Sequence, residues 1–129
     1  MPVEIEFYAP VHSIRMTTVE TESNLRGLFA ALASAEDASA AFGPEPNPAD
    51  QADVILGYSG ECYTITALRN GDYEQLIGDA AAQDEVMLRM GGQATEIPRR
   101  WVLSVDCAFD AMLAYVLTGR FPDHLQWER

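Results

Sequence analysis

The stretch "ECYTITALRNGDYEQL", residues 61–76, decides the fold class of this chain. Residues 61–68 have the period and the β-branched and aromatic composition of a strand. Asn70-Gly71 follows, and both residues tolerate the positive φ that a two-residue hairpin turn requires. We therefore predict two antiparallel strands joined at this turn, with the return strand in residues 73–79.

Strand patterns recur on both sides of this hairpin. Apolar and acidic residues alternate in "VEIEFYA", residues 3–9, which predicts a strand with one buried and one wet face. The other strand patterns are "DVILGY" at 53–58, "EVMLRMG" at 85–91, and "ATEIP" at 94–98, which leads into "RRWVLSV" at 99–105. Turns containing Ser59-Gly60 and Gly91-Gly92 separate them, so the middle of the chain is predicted to be an antiparallel meander.

A first helix is predicted within residues 17–37. Its apolar residues recur at steps of three and four, which places them on one helical face. They are Leu25, Leu28, Phe29 and Leu32. Thr17 or Thr18 is the predicted N-cap, because a threonine hydroxyl can accept from a free amide of the first turn.

A second helix is predicted over "SVDCAFDAMLAYVLTG", residues 104–119. Ser104 or Asp106 is expected to cap its start. The predicted apolar face consists of Phe109, Met112, Leu113, Val116 and Leu117. Gly119 suits the left-handed residue that often follows a helix end, and Pro122 prevents continuation.

These elements predict an α+β fold, with a single antiparallel β-sheet (meander) and two main helices packed on one face, in one domain of residues 1–129. Residues 43–53 contain three prolines and are predicted to be a loop. In "HLQWE", residues 124–128, Leu125 and Trp127 alternate with polar residues. Burying a tryptophan removes about 200 Å² from water, so a last strand anchored in the core by Trp127 is predicted.

Charge is the most informative feature of the composition. The 129 residues include twenty acids, eight arginines and no lysine, for a net charge of −12 at pH 7. Such a surface repels nucleic acid and anionic lipid, so neither is an expected partner. The charge serves solubility alone or attracts a cationic partner, and composition leaves both interpretations open.

The expected compartment is the cytoplasm. No run of about 18 apolar residues is present, so no membrane-spanning segment is predicted. The start of the chain, "MPVEIEFYAP", is acidic and lacks the basic and apolar regions of a signal peptide. Cys62 and Cys107 are accordingly expected to be reduced thiols.

Residues suited to catalysis are few. His12 and His124 are the only histidines, and neither has a second ligand at a usual metal spacing. Cys107 lies in the first turn of the second predicted helix, where a thiol pKa is lowered. A small apolar side chain packed beside Ala108 is nevertheless the favoured interpretation of this cysteine. We expect no metal, no cofactor and no enzymatic activity.

Residues 96–128, "EIPRRWVLSVDCAFDAMLAYVLTGRFPDHLQWE", contain a recognisable pattern: a proline before a strand, a capped helix, "TG-x-x-P" and a short strand ending near tryptophan. The matching positions are Pro98, Thr118, Gly119, Pro122 and Trp127. This pattern resembles the C-terminal half of the Imm-one family of polymorphic-toxin immunity proteins. The resemblance covers residues 90–128 and continues more loosely over 53–89.

The resemblance implies an α+β protein that binds and neutralises a secreted toxin domain inside the producing cell. Toxins paired with this family are thought to include nucleases and nucleic-acid deaminases. We therefore expect a stoichiometric inhibitor, a monomer or weak dimer, whose acidic surface occludes a basic toxin cleft. The alternative is a small-molecule-binding or enzymatic α+β domain with a pocket between helix and sheet.

Tyrosines mixed with acids near the Asn70-Gly71 hairpin have the composition of a protein interface, because tyrosine supplies contact area with few torsions to freeze. The expected toxin-binding residues are Tyr58, Glu61, Tyr63, Asp72, Tyr73 and Glu74. The competing interpretation of the same residues is half-buried strand tyrosines beside solvated turn acids.

Overall fold

The computed structural model describes the whole chain, residues 1–129. Its elements are β1 (Pro2–Ala9), β2 (Ser13–Thr18), α1 (Glu22–Ala33), β3 (Asp37–Phe42), β4 (Val54–Ser59), β5 (Cys62–Arg69), β6 (Asp72–Leu76), β7 (Glu85–Met90), β8 (Gln93–Pro98), a 3₁₀ turn (Arg99–Trp101), α2 (Val105–Thr118) and β9 (Trp127–Glu128). Neither α-helix combines the length and the apolar character that a membrane crossing needs.

Seven strands form one sheet in the order β2-β1-β3-β4-β5-β6-β9, and every neighbouring pair is antiparallel. The predicted α+β class, with an antiparallel sheet and two helices, is confirmed. Strands β3 to β6 follow one another as a meander, whereas β1 lies between β2 and β3. The expectation of a single sheet needs one correction, because β7 and β8 pair only with each other and form a second, two-stranded sheet.

Both helices pack on one face of the seven-stranded sheet. Strand side chains that point to this face, such as Ile5, Leu56 and Ile65, are fully buried. They join the helices in one core of 22 buried residues. Burying a side chain of this size stabilises a fold by about 1.5–3 kcal/mol, so this single layer carries most of the hydrophobic stabilisation.

The predicted core face of α1 is confirmed, and that of α2 is rotated. The buried residues of α1 are the predicted Leu25, Leu28, Phe29 and Leu32. The buried residues of α2 are Ala108, Ala111, Met112 and Val116. Small alanines let α2 approach the sheet closely, while Phe109 turns toward α1 and packs edge-on against Phe29, with ring centroids 5.2 Å apart. Leu117, predicted on the apolar face, is 59% exposed.

The helix ends follow local capping chemistry. Thr21, and neither Thr17 nor Thr18, caps α1 by accepting a hydrogen bond from the Asn24 amide at 3.0 Å. The predicted cap of α2 is confirmed, because the Ser104 hydroxyl oxygen accepts from the Cys107 amide at 3.1 Å. Gly119 ends α2 with φ of 77°, the left-handed conformation that glycine adopts without strain.

The sequence patterns do not predict β2 or β3. Residues 37–42, "DASAAF", are rich in alanine and continue the composition of α1, so strand propensity gives no signal. Yet β3 lies between β1 and β4 and is almost wholly buried. Tertiary pairing on both sides therefore decides its conformation.

The hairpin turn at Asn70-Gly71 is confirmed, with φ of 52° and 86° at the two residues. Residues 43–53 contain neither helix nor strand, as predicted. Residues 99–105 are not the predicted strand: they contain the 3₁₀ turn, and only Leu103 bridges to the sheet, through Tyr63.

The β7–β8 hairpin packs on the sheet face opposite the helices. The Asp37 carboxylate accepts from the Gly92 amide at 2.6 Å, and the Ser59 hydroxyl oxygen accepts from the Arg89 amide at 3.2 Å. Gly57 in β4 makes room for both Thr64 and the hairpin, because a Cβ there would lie 2.5 Å from the Thr64 hydroxyl oxygen and 3.3 Å from the terminal methyl of Met90. The hairpin thus covers the β3–β4 end of this face.

The C-terminal strand is shorter than predicted, with only Trp127 and Glu128 in β9. Trp127 pairs with Leu76 of β6 and meets the Phe121 ring edge-on at 5.0 Å. Its side chain is half-buried, packed against the core but not enclosed by it. Trp127 therefore closes one edge of the sheet.

Candidate functional site

The six expected toxin-binding residues do not form one surface. Tyr58, Glu61 and Tyr63 lie around the β4–β5 turn, whereas Asp72, Tyr73 and Glu74 lie beside the β5–β6 turn. These turns are at opposite ends of β5, an eight-residue strand. At about 3.3 Å per residue, the separation along the strand runs from roughly 13 Å between Tyr63 and Glu74 to roughly 26 Å between Glu61 and Asp72.

Tyr58 and Tyr63 belong to the core. They face each other across β4 and β5 with ring centroids 5.1 Å apart, and the Phe29 ring stacks on Tyr63 at 5.2 Å. Their exposed fractions are 6% and 3%, and burial raises the pKa of the Tyr63 hydroxyl. The surface area of these two rings is buried within the protein and is not accessible to a partner.

Asp72, Tyr73 and Glu74 line the end of the sheet at the Asn70-Gly71 turn. Asp72 lies 2.8 Å from an Arg129 guanidinium nitrogen, and Glu74 lies 3.9 Å from Arg69. The Tyr73 hydroxyl donates to the Ala52 carbonyl at 2.8 Å, although 49% of the residue stays exposed. The arginines offset the two acids, so this end of the sheet presents little net negative charge.

A cleft of about 410 Å³ adjoins this region, between the end of α2 and strands β4 and β5. Both charge signs line it, with Asp53 and Asp123 beside Arg69 and Arg120. Burial raises the pKa of the Tyr115 hydroxyl on its wall. This cleft is the closest match to the helix–sheet pocket of the alternative hypothesis.

The reactive side chains are dispersed. Both cysteines are free thiols, and burial raises the pKa of the Cys107 thiol, which disfavours the thiolate needed by a nucleophile. His12 lies 2.8 Å from the Glu6 carboxylate. No group of three or more histidine, cysteine, aspartate or glutamate residues is placed to hold a metal ion.

One surface feature, the edge strand β2, is not predicted from the sequence. All six of its residues are exposed, including Ile14 at 56% and Met16 at 49%. These two apolar side chains share a sheet face with Glu4 and Glu6 of β1. The signal is present in "SIRMTT", where apolar and polar residues alternate, but assigning Thr17 to a helix cap conceals it.

Uncompensated negative charge is spread over the surface. Nine of the twenty acidic side chains lie within 4.0 Å of a basic group. Of the other eleven, Asp37 is buried and the remaining ten lie at the surface. On the β7–β8 hairpin the neighbouring Glu96 carboxylate raises the pKa of Glu85. Such like-charged neighbours would be relieved by a cationic partner.

Fold and surface together define a small acidic α+β protein whose helices cover one face of the seven-stranded sheet and whose open edge in that sheet is β2. Searches of curated proteins and of solved structures each returned no match. The family model described as Immunity protein Imm1 matches residues 15–129, so the chain belongs to that family of immunity proteins. The match begins well before residue 53, where the resemblance in the sequence fades.

Membership of this family implies a toxin as the partner and an inhibitory role. The residues that carry the resemblance are structural in this chain. Gly119 ends α2, Pro122 follows it, and Trp127 closes the sheet. They define the scaffold and do not identify the surface that meets the toxin.

Proposed function

We propose that this protein is a stoichiometric inhibitor of one cognate toxin domain that acts on nucleic acid. It acts without catalysis, in the cytoplasm of the cell that makes the toxin, by covering the toxin's basic substrate cleft. The observation that carries the proposal is the set of ten uncompensated surface carboxylates on a chain of an immunity-protein family.

The physical argument is electrostatic. A cleft that holds nucleic acid is positively charged, because phosphate contacts supply much of the affinity. An acidic protein is attracted to the same cleft and excludes the nucleic acid of like sign. Complementary charge raises association rates to about 10⁸–10⁹ M⁻¹s⁻¹ at low salt.

The test uses the toxin domain encoded by the gene immediately upstream of this chain's gene. The purified proteins should form a 1:1 complex by light scattering, and one equivalent of this protein should abolish toxin activity. The association rate should fall as salt rises, because exposed charges are screened beyond about 8 Å at physiological ionic strength. An association rate independent of salt would contradict the electrostatic mechanism.

A small-molecule function would use the cleft near Tyr115 and Arg120. Charges of both signs line this cleft and favour no single ligand charge, so we rank this function second. Tyr115→Ala and Arg120→Ala should leave toxin neutralisation unchanged if the cleft has no part in it.

A further inference from the structure

Strand β2 is an open sheet edge with little protection. Natural edge strands are usually blocked by proline, a charged side chain, a bulge or a covering segment. Among the six residues of β2 the one such device is the charge of Arg15. The Arg15 guanidinium lies over the Phe7 ring, 5.6 Å from its centroid, on the face that the helices occupy.

The hydrogen-bond register shows which main-chain groups are free. Met1 and Val19 exchange both bonds, at 3.1 and 2.9 Å. Bonded and non-bonded pairs alternate in an antiparallel ladder, so Arg15 and Thr17 bond to β1. The amides and carbonyls of the intervening residues therefore point away from the sheet. These residues are Ile14, Met16 and Thr18.

The same residues carry the exposed apolar side chains. Ile14 and Met16 project on the face away from the helices, next to Glu6 and Glu4 respectively. Free main-chain groups and free apolar area thus coincide at one edge. A strand added here would gain hydrogen bonds and side-chain burial together.

A groove of about 240 Å³ lies on the opposite face of this edge, between β2 and α1. Arg15, Ser23, Asn24 and Gly27 are among its lining residues. A Cβ built on Gly27 would meet no atom within 4 Å, so the groove is open there. Alternate side chains of an added strand would enter this groove.

We propose that β2 binds a β-strand of the cognate toxin, which extends the seven-stranded sheet by one strand. This inference rests on the proposed function and names the surface that carries it. The bound strand places apolar side chains against Ile14 and Met16. Its flanking basic residues meet acids on both sides of the edge. Glu4 on β1 has no basic neighbour within 4.0 Å, and Glu20 before α1 stays 71% exposed beside the Met1 ammonium, 3.8 Å away.

Charge favours the toxin over a second copy as the occupant. Each copy carries −12, so two copies repel each other. A basic toxin strand does not meet this repulsion.

The experiment measures the Kd of the upstream-encoded toxin domain for the full-length protein and for variants of β2. Met16→Pro removes an amide that points outward, so the hydrogen bonds between β2 and β1 are kept. The docking strand loses one hydrogen bond to β2 and clashes with the proline ring. We expect toxin binding to weaken at least tenfold. Met16→Lys should weaken it severalfold, whereas Leu117→Lys, a matched change at an equally exposed residue of α2, should not.

Circular dichroism and melting curves test whether each variant is folded. If Met16→Pro is destabilised, the proposal is judged on Met16→Lys. Unchanged Kd for folded Met16→Pro and Met16→Lys, with wild-type binding intact, would overturn the β2 proposal alone. Absence of wild-type binding would overturn the proposed function and this inference with it. A wild-type dimer that Met16→Pro converts to monomer would assign the edge to a second copy.

Discussion

The two edges of the seven-stranded sheet contrast sharply. At the far edge, the last residues of the chain pair with β6. The Trp127 ring contacts the Phe121 ring, and the Arg69 guanidinium lies over it, 4.7 Å from the centroid of the Trp127 ring. Glu128 accepts hydrogen bonds from Arg100 and Trp101. At the near edge, β2 has neither an aromatic cover nor a strand beyond it.

Charge pairing shows a weaker form of the same contrast. Arg129 and Arg69 offset Asp72 and Glu74 at the closed edge. At the open edge the basic neighbours of the acids are a histidine and the terminal ammonium of the chain, and Glu4 has none within 4.0 Å. The closed edge therefore uses its aromatic and charged groups for stability. The open edge leaves its main chain and the Glu4 carboxylate available for a partner.

The largest expected effect is on the closed edge. Trp127→Ala should lower the free energy of unfolding by about 2–4 kcal/mol. Loss of a fully buried indole costs ~3–5 kcal/mol, and this indole is only half-buried. A chain that ends at His124 should lose most of its stability in urea unfolding. Removal of Arg129 alone is the control, and it should cost under about 1 kcal/mol. If the chain ending at His124 melts like wild type, the closing role of Trp127 is wrong.

The second prediction compares charge reversal at the two edges. Glu4→Lys with Glu6→Lys should slow toxin association about three- to tenfold at low salt, because these acids flank β2. Both double variants reduce the net negative charge equally. Beyond that common effect, Asp72→Lys with Glu74→Lys should slow toxin association less than twofold, because arginines already offset those acids. Stopped-flow measurement across a salt series shows which double variant slows association more. A larger effect of the Asp72 and Glu74 changes would support the hairpin residues as the toxin-binding surface.

The smallest effect is the acid sensitivity of the closed edge. The hydrogen bond from Trp101, with Arg100 nearby, lowers the pKa of Glu128 below its usual 4.5. The charged form therefore stabilises the fold above that value, and this stabilisation is lost as pH falls through the lower folded pKa. Glu128→Gln should be less stable than wild type at pH 7, and the difference should shrink toward pH 3. A stability difference that does not change with pH would show that the charge of Glu128 does not stabilise the fold.

The sequence predicts the elements whose local signals agree with their place in the fold. Asn70-Gly71 and the α1 spacing are examples, since turn chemistry and periodicity are encoded locally. β3 is not predicted because its alanines favour a helix, and pairing with β1 and β4 overrides that preference. Nor does sequence place Glu61 and Asp72 at opposite ends of β5, because proximity depends on strand length and register. The sequence thus shows which strands carry tyrosines and acids, but not that Tyr58 and Tyr63 are buried or that the six residues lie apart.

Strand β2 is proposed to offer free main-chain groups to a toxin strand. Amide hydrogen exchange, measured by NMR on the free protein and on the complex, reports on those groups one by one. In the free protein, the Ile14, Met16 and Thr18 amides should exchange fast, while those of Arg15 and Thr17 should be protected by β1. In the complex, the three fast amides should become protected. If they stay fast while the toxin is bound, β2 does not pair with the toxin and the account is contradicted.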